Sequence, residues 1–242
     1  MRSFAPTFCE PARVDALLRA QGHAALDREG VASLLGAPLP LDRWAPLWND
    51  LPPDRYLRDG GRYRRRRHGC FVVTEGRAEP VPPRAHWQPV EYNALHGGIE
   101  RWFEPLAPAL TGDPAWPALL TALGARATAL RGARPWFVEA HAFRIDTADG
   151  IGRPTPEGAH RDGVDLVAVM LVDRHGVRGG ETRVFDADGP AGVRFTMEAA
   201  GTTLLLDDAR VIHETTPIQP AGDVGWRDTL VVTLRAEGFQ GP

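Results

Sequence analysis

Three consecutive residues, His160-Arg161-Asp162, place an imidazole and a carboxylate two positions apart. Two chemistries use such a tripeptide. As His-Arg-Asp it would open a protein-kinase catalytic loop, which needs an Asn five residues after the Asp to hold magnesium. Position 167 is Val, and neither a Gly-rich nucleotide loop nor an Asp-Phe-Gly triplet occurs, so that chemistry is excluded. The other use is metal binding. Residues i and i+2 of a strand face the same way, so in extended backbone His160 and Asp162 can serve one ion. Pro154 and Pro156 favour extended backbone just before them.

A third ligand has to come from elsewhere, and His213 has the best setting of the 8 histidines. It follows the apolar run Thr202–Leu206 and precedes Thr215-Thr216-Pro217, the context of a strand ending in a turn. Two neutral imidazoles and one carboxylate on one side of an ion make the facial triad of Fe(II) oxygenases, which leaves three positions open. Arg227, fourteen residues further on, begins the last strong strand. Its planar guanidinium suits bidentate capture of a carboxylate, such as the distal one of 2-oxoglutarate. Taken singly, His213 also reads as a hydrogen-bonded core histidine and Arg227 as an ion-pair residue beside Asp228.

The elements that would position these groups change character along the chain. The first half reads mostly helical: apolar residues at helical spacing over Val14–Leu18 and Leu26–Leu35 stop at Gly22 and Gly36. The clearest helix runs from Pro114 to Arg131, with Asp113 as its cap and a core-facing stripe of Trp116, Leu119, Leu120, Leu123 and Leu130. After Gly132, β-rich runs follow at 136–145, 165–173, 181–187, 193–197, 202–208 and 227–236, which suggests an antiparallel sandwich or barrel. The expected fold is mainly β (α+β), a jelly-roll with N-terminal and flanking helices. A single domain over 1–242 would hold a mainly helical part (1–132) and a jelly-roll core carrying the metal site (133–242). The run Arg64–Arg67 sits between Tyr63 and Phe71-Val72-Val73, so it reads as a strand in which one arginine can face a carboxylate ligand.

Bulk properties narrow the function classes. A net charge of −3 calls for neither nucleic acid nor an anionic membrane. No lysine occurs, and Cys9 and Cys70 form no CxxC pair, which argues against a disulfide scaffold or thiolate site and fits a reducing cytoplasm. The opening MRSFAPTFCEPARVD lacks the apolar core of a signal peptide, and no run approaches about 18 apolar residues. Oligomeric state stays open, with a homodimer as one option.

The chain also resembles a known group, the Fe(II)/2-oxoglutarate dioxygenases related to bacterial L-isoleucine 4-hydroxylase and BsmA. The stretches that carry the likeness are EYNALHGGIERWFEPL (91–106), HAFRI (141–145), PTPEGAHRDGVDLV (154–167), GGETRVFD (179–186), HETTPI (213–218) and GWRDTLVVTLR (225–235). The resemblance implies a double-stranded β-helix, iron on His160, Asp162 and His213, and Arg227 on the co-substrate 2-oxoglutarate, with O2 as oxidant. It further implies hydroxylation of an unactivated C–H, most simply in a free aliphatic L-amino acid. An amino acid needs partners for its carboxylate and its ammonium; Arg144 is expected on the first and Glu139 on the second, with His141 beside it. Asp165 and Glu157 are further candidates near the mouth, and Trp102 and Phe103 for an apolar wall. Two alternatives remain: the same chemistry on another small metabolite or a peptide-borne residue, and a catalytically silent, metal-binding cupin-like protein.

Overall fold

Alternation along one long strand sorts the molecule into a helical side and a cavity side. In β4 (Trp136–Asp146), Trp136, Val138, Ala140 and Ala142 enter the main apolar cluster, while Phe137, Glu139, His141, Phe143 and Ile145 line a cavity. The same period-2 rule holds for β12 (Trp226–Arg235), where Leu230, Val232 and Leu234 face the helices and Arg227, Thr229, Val231 and Thr233 face the cavity.

This computed structural model describes residues 4–93 and 95–242; residues 1–3, the start of the stretch read for a leader, and Ala94 lie outside them. Helix α1 (Val14–Gln21) is followed by β1 (His23–Leu26), α2 (Arg28–Leu35) and the short α3 (Leu41–Trp44). The hairpin β2 (Arg64–Thr74) and β3 (Arg77–Pro80) comes next, then α4 (Pro108–Thr111) and α5 (Ala115–Arg131). After β4 come β5 (Leu166–His175), β6 (Val177–Gly179), β7 (Glu181–Asp186) and β8 (Gly192–Thr196). The last are β9 (Thr203–Asp207), β10 (Val211–Thr215), β11 (Ile218–Pro220) and β12.

Seven strands form the major sheet in the order β1-β9-β5-β12-β4-β2-β3, every pair antiparallel. A smaller sheet runs β10-β7-β8, and β11 pairs with β6. Val167, Leu171, Leu204 and Leu206 of the large sheet cluster with Val184, Phe195 and Val211 of the small one, so the two sheets pack face to face at that end. At the other end the layers enclose the cavity. This is the expected jelly-roll.

The helices cover the opposite face of the major sheet. Asp113 Oδ1 accepts from the Ala115 amide at the start of α5, and Trp116, Leu119, Leu120 and Leu123 are buried against the sheet as their spacing predicts. Leu120 is fully buried, so Leu120→Ala removes contacts worth about 2–5 kcal/mol. Gly22 ends α1 at φ +75°; a Cβ there would lie 2.6 Å from Val211, so the glycine sets how closely α1 approaches β10.

Two expectations change. Residues 1–132 contribute to the major sheet not only the strand expected around Arg64–Val73, which is β2, but also β1 and β3. His160 and Asp162 do not sit in a strand: they belong to an irregular segment whose ladder contact is a single antiparallel bridge between His160 and His213. The segment lies along the small sheet, held also by a Gly152–Ile218 bridge and by Thr155 Oγ1 bonded to the Thr215 carbonyl (3.0 Å) and amide (3.1 Å).

Candidate active site

His160, Asp162 and His213 converge in the cavity between the sheets. Backbone bonds of 3.0 and 2.9 Å between His160 and His213 bring the two imidazoles to a centroid separation of 4.7 Å. His160 Nδ1 lies 2.9 Å from the Gly158 carbonyl. A carbonyl only accepts, so Nδ1 carries a proton and, in the neutral ring, Nε2 keeps its lone pair. That Nε2 is 3.8 Å from Asp162 Oδ1, and His213 Nε2 is 3.8 Å from Asp162 Oδ2. These separations exceed a hydrogen bond yet fall under about 4.2 Å, twice an ordinary metal–ligand bond, so one ion fits between the groups. Burial pushes the His213 pKa down to about 3, which keeps it a neutral donor. At His160 burial acts the same way, but the Asp162 and Glu157 carboxylates outweigh it and raise the pKa.

The loop carrying Asp162 is fixed from below by Asp208, which is buried at the end of β9. Its Oδ1 accepts from the Asp162 amide (3.0 Å), and its Oδ2 accepts from the amides of Gly163 (2.8 Å) and Val164 (3.1 Å). Gly163 adopts φ +74° to turn the chain there. Arg161 points outward to the Ala209 carbonyl. Asp208→Ala leaves three amides without their acceptor and frees the loop; iron affinity should fall about 10- to 100-fold, read by metal titration of the metal-free protein.

Arg227 projects into the same cavity and is 3% exposed. Its Nε has no partner among the described residues, and Nη2 finds only Met197 Sδ at 4.0 Å. Burial, followed by repulsion from Arg174, lowers its pKa to about 10. A buried guanidinium without a carboxylate, close to a second cation, is built for an anionic ligand. The donor set and this unpaired cation fit iron and 2-oxoglutarate.

The other expected residues divide by strand parity. Glu139 and His141 line the cavity, as does Glu157, whose Oε1 is 3.6 Å from His160 Nε2. Arg144 has the opposite parity and is outside the lining: its Nε and Nη2 bond both oxygens of Asp228, at 2.8 and 2.6 Å. Asp165 also lies outside, bound to Arg131 (3.3 Å) and to the Ala236 amide (2.9 Å). Trp102 is exposed, and Phe103 lines a separate cavity beside Cys70 and Trp116.

Several cavity residues were given no role from the sequence: His86 and Gln88, and Asn93 and Arg101 within the family-like stretch 91–106. Gln88 Nε2 donates to Asp162 Oδ1 at 3.2 Å, while its Oε1 accepts from Asn93 and Arg101. A second group of metal-ligating types, His68, His86, Glu139 and His141, lies close by. Several of its atoms are already engaged: His86 Nδ1 meets Glu139 Oε2 at 2.6 Å, Arg66 Nη2 occupies His141 Nδ1 at 2.7 Å, and the His68 and His141 rings stack at 4.6 Å. A guanidinium in that shell opposes a further cation, so the group is a buried hydrogen-bonded cluster.

That cluster makes stability pH-dependent. Burial drives His68 down to about 3 and His86 and His141 well below the usual imidazole range. The unfolded chain therefore takes up protons near pH 6.5 that the folded protein refuses, and stability present above that pH is lost as pH falls. Each imidazole contributes about 1.4 kcal/mol per pH unit in that window. Glu139, raised by burial, works in the opposite sense and offsets part of this. The denaturant midpoint of the metal-free protein should fall steadily from pH 6.5 to 5; a flat profile would contradict the buried neutral cluster.

A family model, 2OG-Fe dioxygenase, matches residues 45–233. Comparison with curated proteins found no match. The structure is similar to that of a bsmA homolog from Methylobium petroleophilum, at 55% identity and TM-score 0.92, covering 100% of this chain and 99% of that one. Two more distant likenesses show the fold. One is IDO from Bacillus thuringiensis, at 14% identity and TM-score 0.76, over 94% of this chain and 100% of that one. The other is the Fe(II)/α-ketoglutarate-dependent dioxygenase TqaL, at 19% identity and TM-score 0.71, over 93% and 86%. Among the described residues no helix is long and apolar enough to cross a membrane. The family uses Fe(II), 2-oxoglutarate and O2 and acts on small molecules. Matched by the family model over most of its length and by a 55%-identical relative over all of it, the chain belongs to the 2OG-Fe dioxygenases, as a BsmA-like member.

Proposed function

We propose that the protein hydroxylates an unactivated C–H of a free L-amino acid with an aliphatic side chain, within one domain spanning 1–242. The observation that supports the chemistry most is the buried, unpaired Arg227 opening onto the same cavity as three convergent ligand atoms. In this reading His160 Nε2, Asp162 and His213 hold the iron, and Arg227 fixes the distal carboxylate of 2-oxoglutarate. Iron with 2-oxoglutarate supplies the oxidising power: substrate, O2 and 2-oxoglutarate give hydroxylated product, succinate and carbon dioxide.

The protein's part is orientation. Gly158 fixes the His160 tautomer, and Asp208 and Gln88 hold Asp162 in place. Phe137, Val164, Val169 and Val231 give the cavity an apolar wall against which an aliphatic side chain packs, setting which carbon reaches the metal. Glu157 stands ready for an ammonium, the role expected of Glu139, whose neighbour Arg66 disfavours a cation.

The test is a panel of free L-amino acids with purified enzyme, Fe(II), 2-oxoglutarate and air, read by mass spectrometry. An aliphatic member should gain one oxygen with equimolar succinate. If only a peptide-borne residue or a non-amino-acid metabolite is hydroxylated, the substrate reading is wrong and the iron chemistry stands.

A further inference from the structure

Besides Arg227 and Arg235 of β12, three guanidiniums line the cavity: Arg64 and Arg66 from β2, and Arg101 from the segment ahead of α4. They are 6%, 3% and 2% exposed. Each has five N–H donors and no acceptor, and the protein uses few of them. Arg64 gives Nε to Asp54 Oδ2 (2.8 Å), Arg66 gives Nη2 to His141 (2.7 Å), and Arg101 gives Nη2 to Gln88 (2.8 Å). Arg64 Nη2, Arg66 Nε and Arg101 Nε have no partner among the described residues.

Asp54 is the one carboxylate that forms an ion pair with this set among those residues, reaching Arg66 only at 3.7 Å, and its Oδ1 is taken by the Tyr56 amide. Burial and the neighbouring Arg64 lower the Arg101 pKa to about 10. Crowding cations in a dry site is unfavourable unless an anion joins them. Arg227 does not explain them, since it rises from β12 beside Arg174, with its own need for a carboxylate. Arg66 is also held between two rings: its guanidinium lies 3.8 Å from the Phe103 ring centroid and 4.4 Å from that of Phe143.

The cavity holds unpartnered acceptors as well. Glu157 Oε2 and Glu139 Oε1 are buried without a hydrogen bond among the described residues. Spare donors on one set of residues and spare acceptors on another are the complement of a zwitterion. We propose that Arg64, Arg66 and Arg101 form the subsite that holds the substrate's carboxylate, with Glu157 receiving its ammonium. The assignment rests on the amino-acid reading above and gives to these three arginines the role expected of Arg144.

The test uses the enzyme loaded anaerobically with Fe(II) and 2-oxoglutarate, and reads the shift of its charge-transfer band on titration with free L-amino acids and their α-carboxamides. Acids should shift the band, and the amides should need at least about tenfold higher concentration. Arg101→Gln and Arg64→Gln should each raise the half-saturating amino-acid concentration at least about tenfold, with Arg101→Lys in between. The band itself reports that each variant still folds and holds iron and 2-oxoglutarate. Amides equal to acids, variants that titrate like wild type, or a band that no free carboxylic acid perturbs would each overturn the subsite. Absence of the band from the wild type sinks the iron reading and the subsite with it.

Discussion

Asp162→Ala is expected to lose its iron and at least about a thousandfold of its substrate-dependent turnover. The carboxylate is the only anionic member of the candidate triad and faces both imidazoles at 3.8 Å. Removing a second partner of a ligand already costs about 10- to 100-fold in metal affinity or activity, and removing the ligand itself must cost more. Two neutral imidazoles on a bridge of one residue pair cannot hold the ion facially. The fold should survive, because Asp208, not the Asp162 side chain, anchors the loop. Metal content after desalting and 2-oxoglutarate consumption check this together. A variant that keeps stoichiometric iron and turnover would remove Asp162 from the metal.

Arg227→Met separates binding from stability in a way few substitutions do. In the metal-free, ligand-free protein the guanidinium is a buried charge with no hydrogen-bonded carboxylate among the described residues, so exchanging it for an apolar side chain of similar length should leave the melting temperature unchanged or higher. The co-substrate should suffer. Losing a buried, charge-assisted bidentate contact costs about 2–5 kcal/mol, a rise of roughly 30- to 1000-fold or more in the 2-oxoglutarate requirement. Wild-type protein should gain thermal stability on adding 2-oxoglutarate with metal, and the variant should not. Unchanged 2-oxoglutarate dependence would take Arg227 out of its role.

Much of the layout was legible because strands and helices announce themselves by period. Six of the long β-rich runs sit where strands form, and Gly22, Gly36 and Gly132 end helices as their backbone freedom suggests. The convergence of His160, Asp162, His213 and Arg227 on one cavity was expected for another reason: they lie near those runs, and the family resemblance names the same positions. Parity also separates two of the residues expected on the substrate. Glu139 and Arg144 cannot share a face of β4, since five residues is an odd step, and Arg144 therefore turns to Asp228. The same rule applied to Arg64–Arg67 would have placed Arg64 and Arg66 inward together. Asp208, Gln88 and Arg101 were hidden for a deeper reason. They act from β9's end and from an irregular segment, where no periodicity exists and only tertiary contact gives a side chain its task.

The central claim is that His160, Asp162 and His213 hold an iron to which 2-oxoglutarate binds with Arg227 at its far end. Its most direct test is the visible spectrum of the anaerobic protein titrated with Fe(II) and 2-oxoglutarate. The wild type should develop a metal-to-ligand charge-transfer band that saturates at one iron per chain, and His160→Ala should show none. A wild type without the band, or a His160→Ala variant that retains it, would contradict the claim.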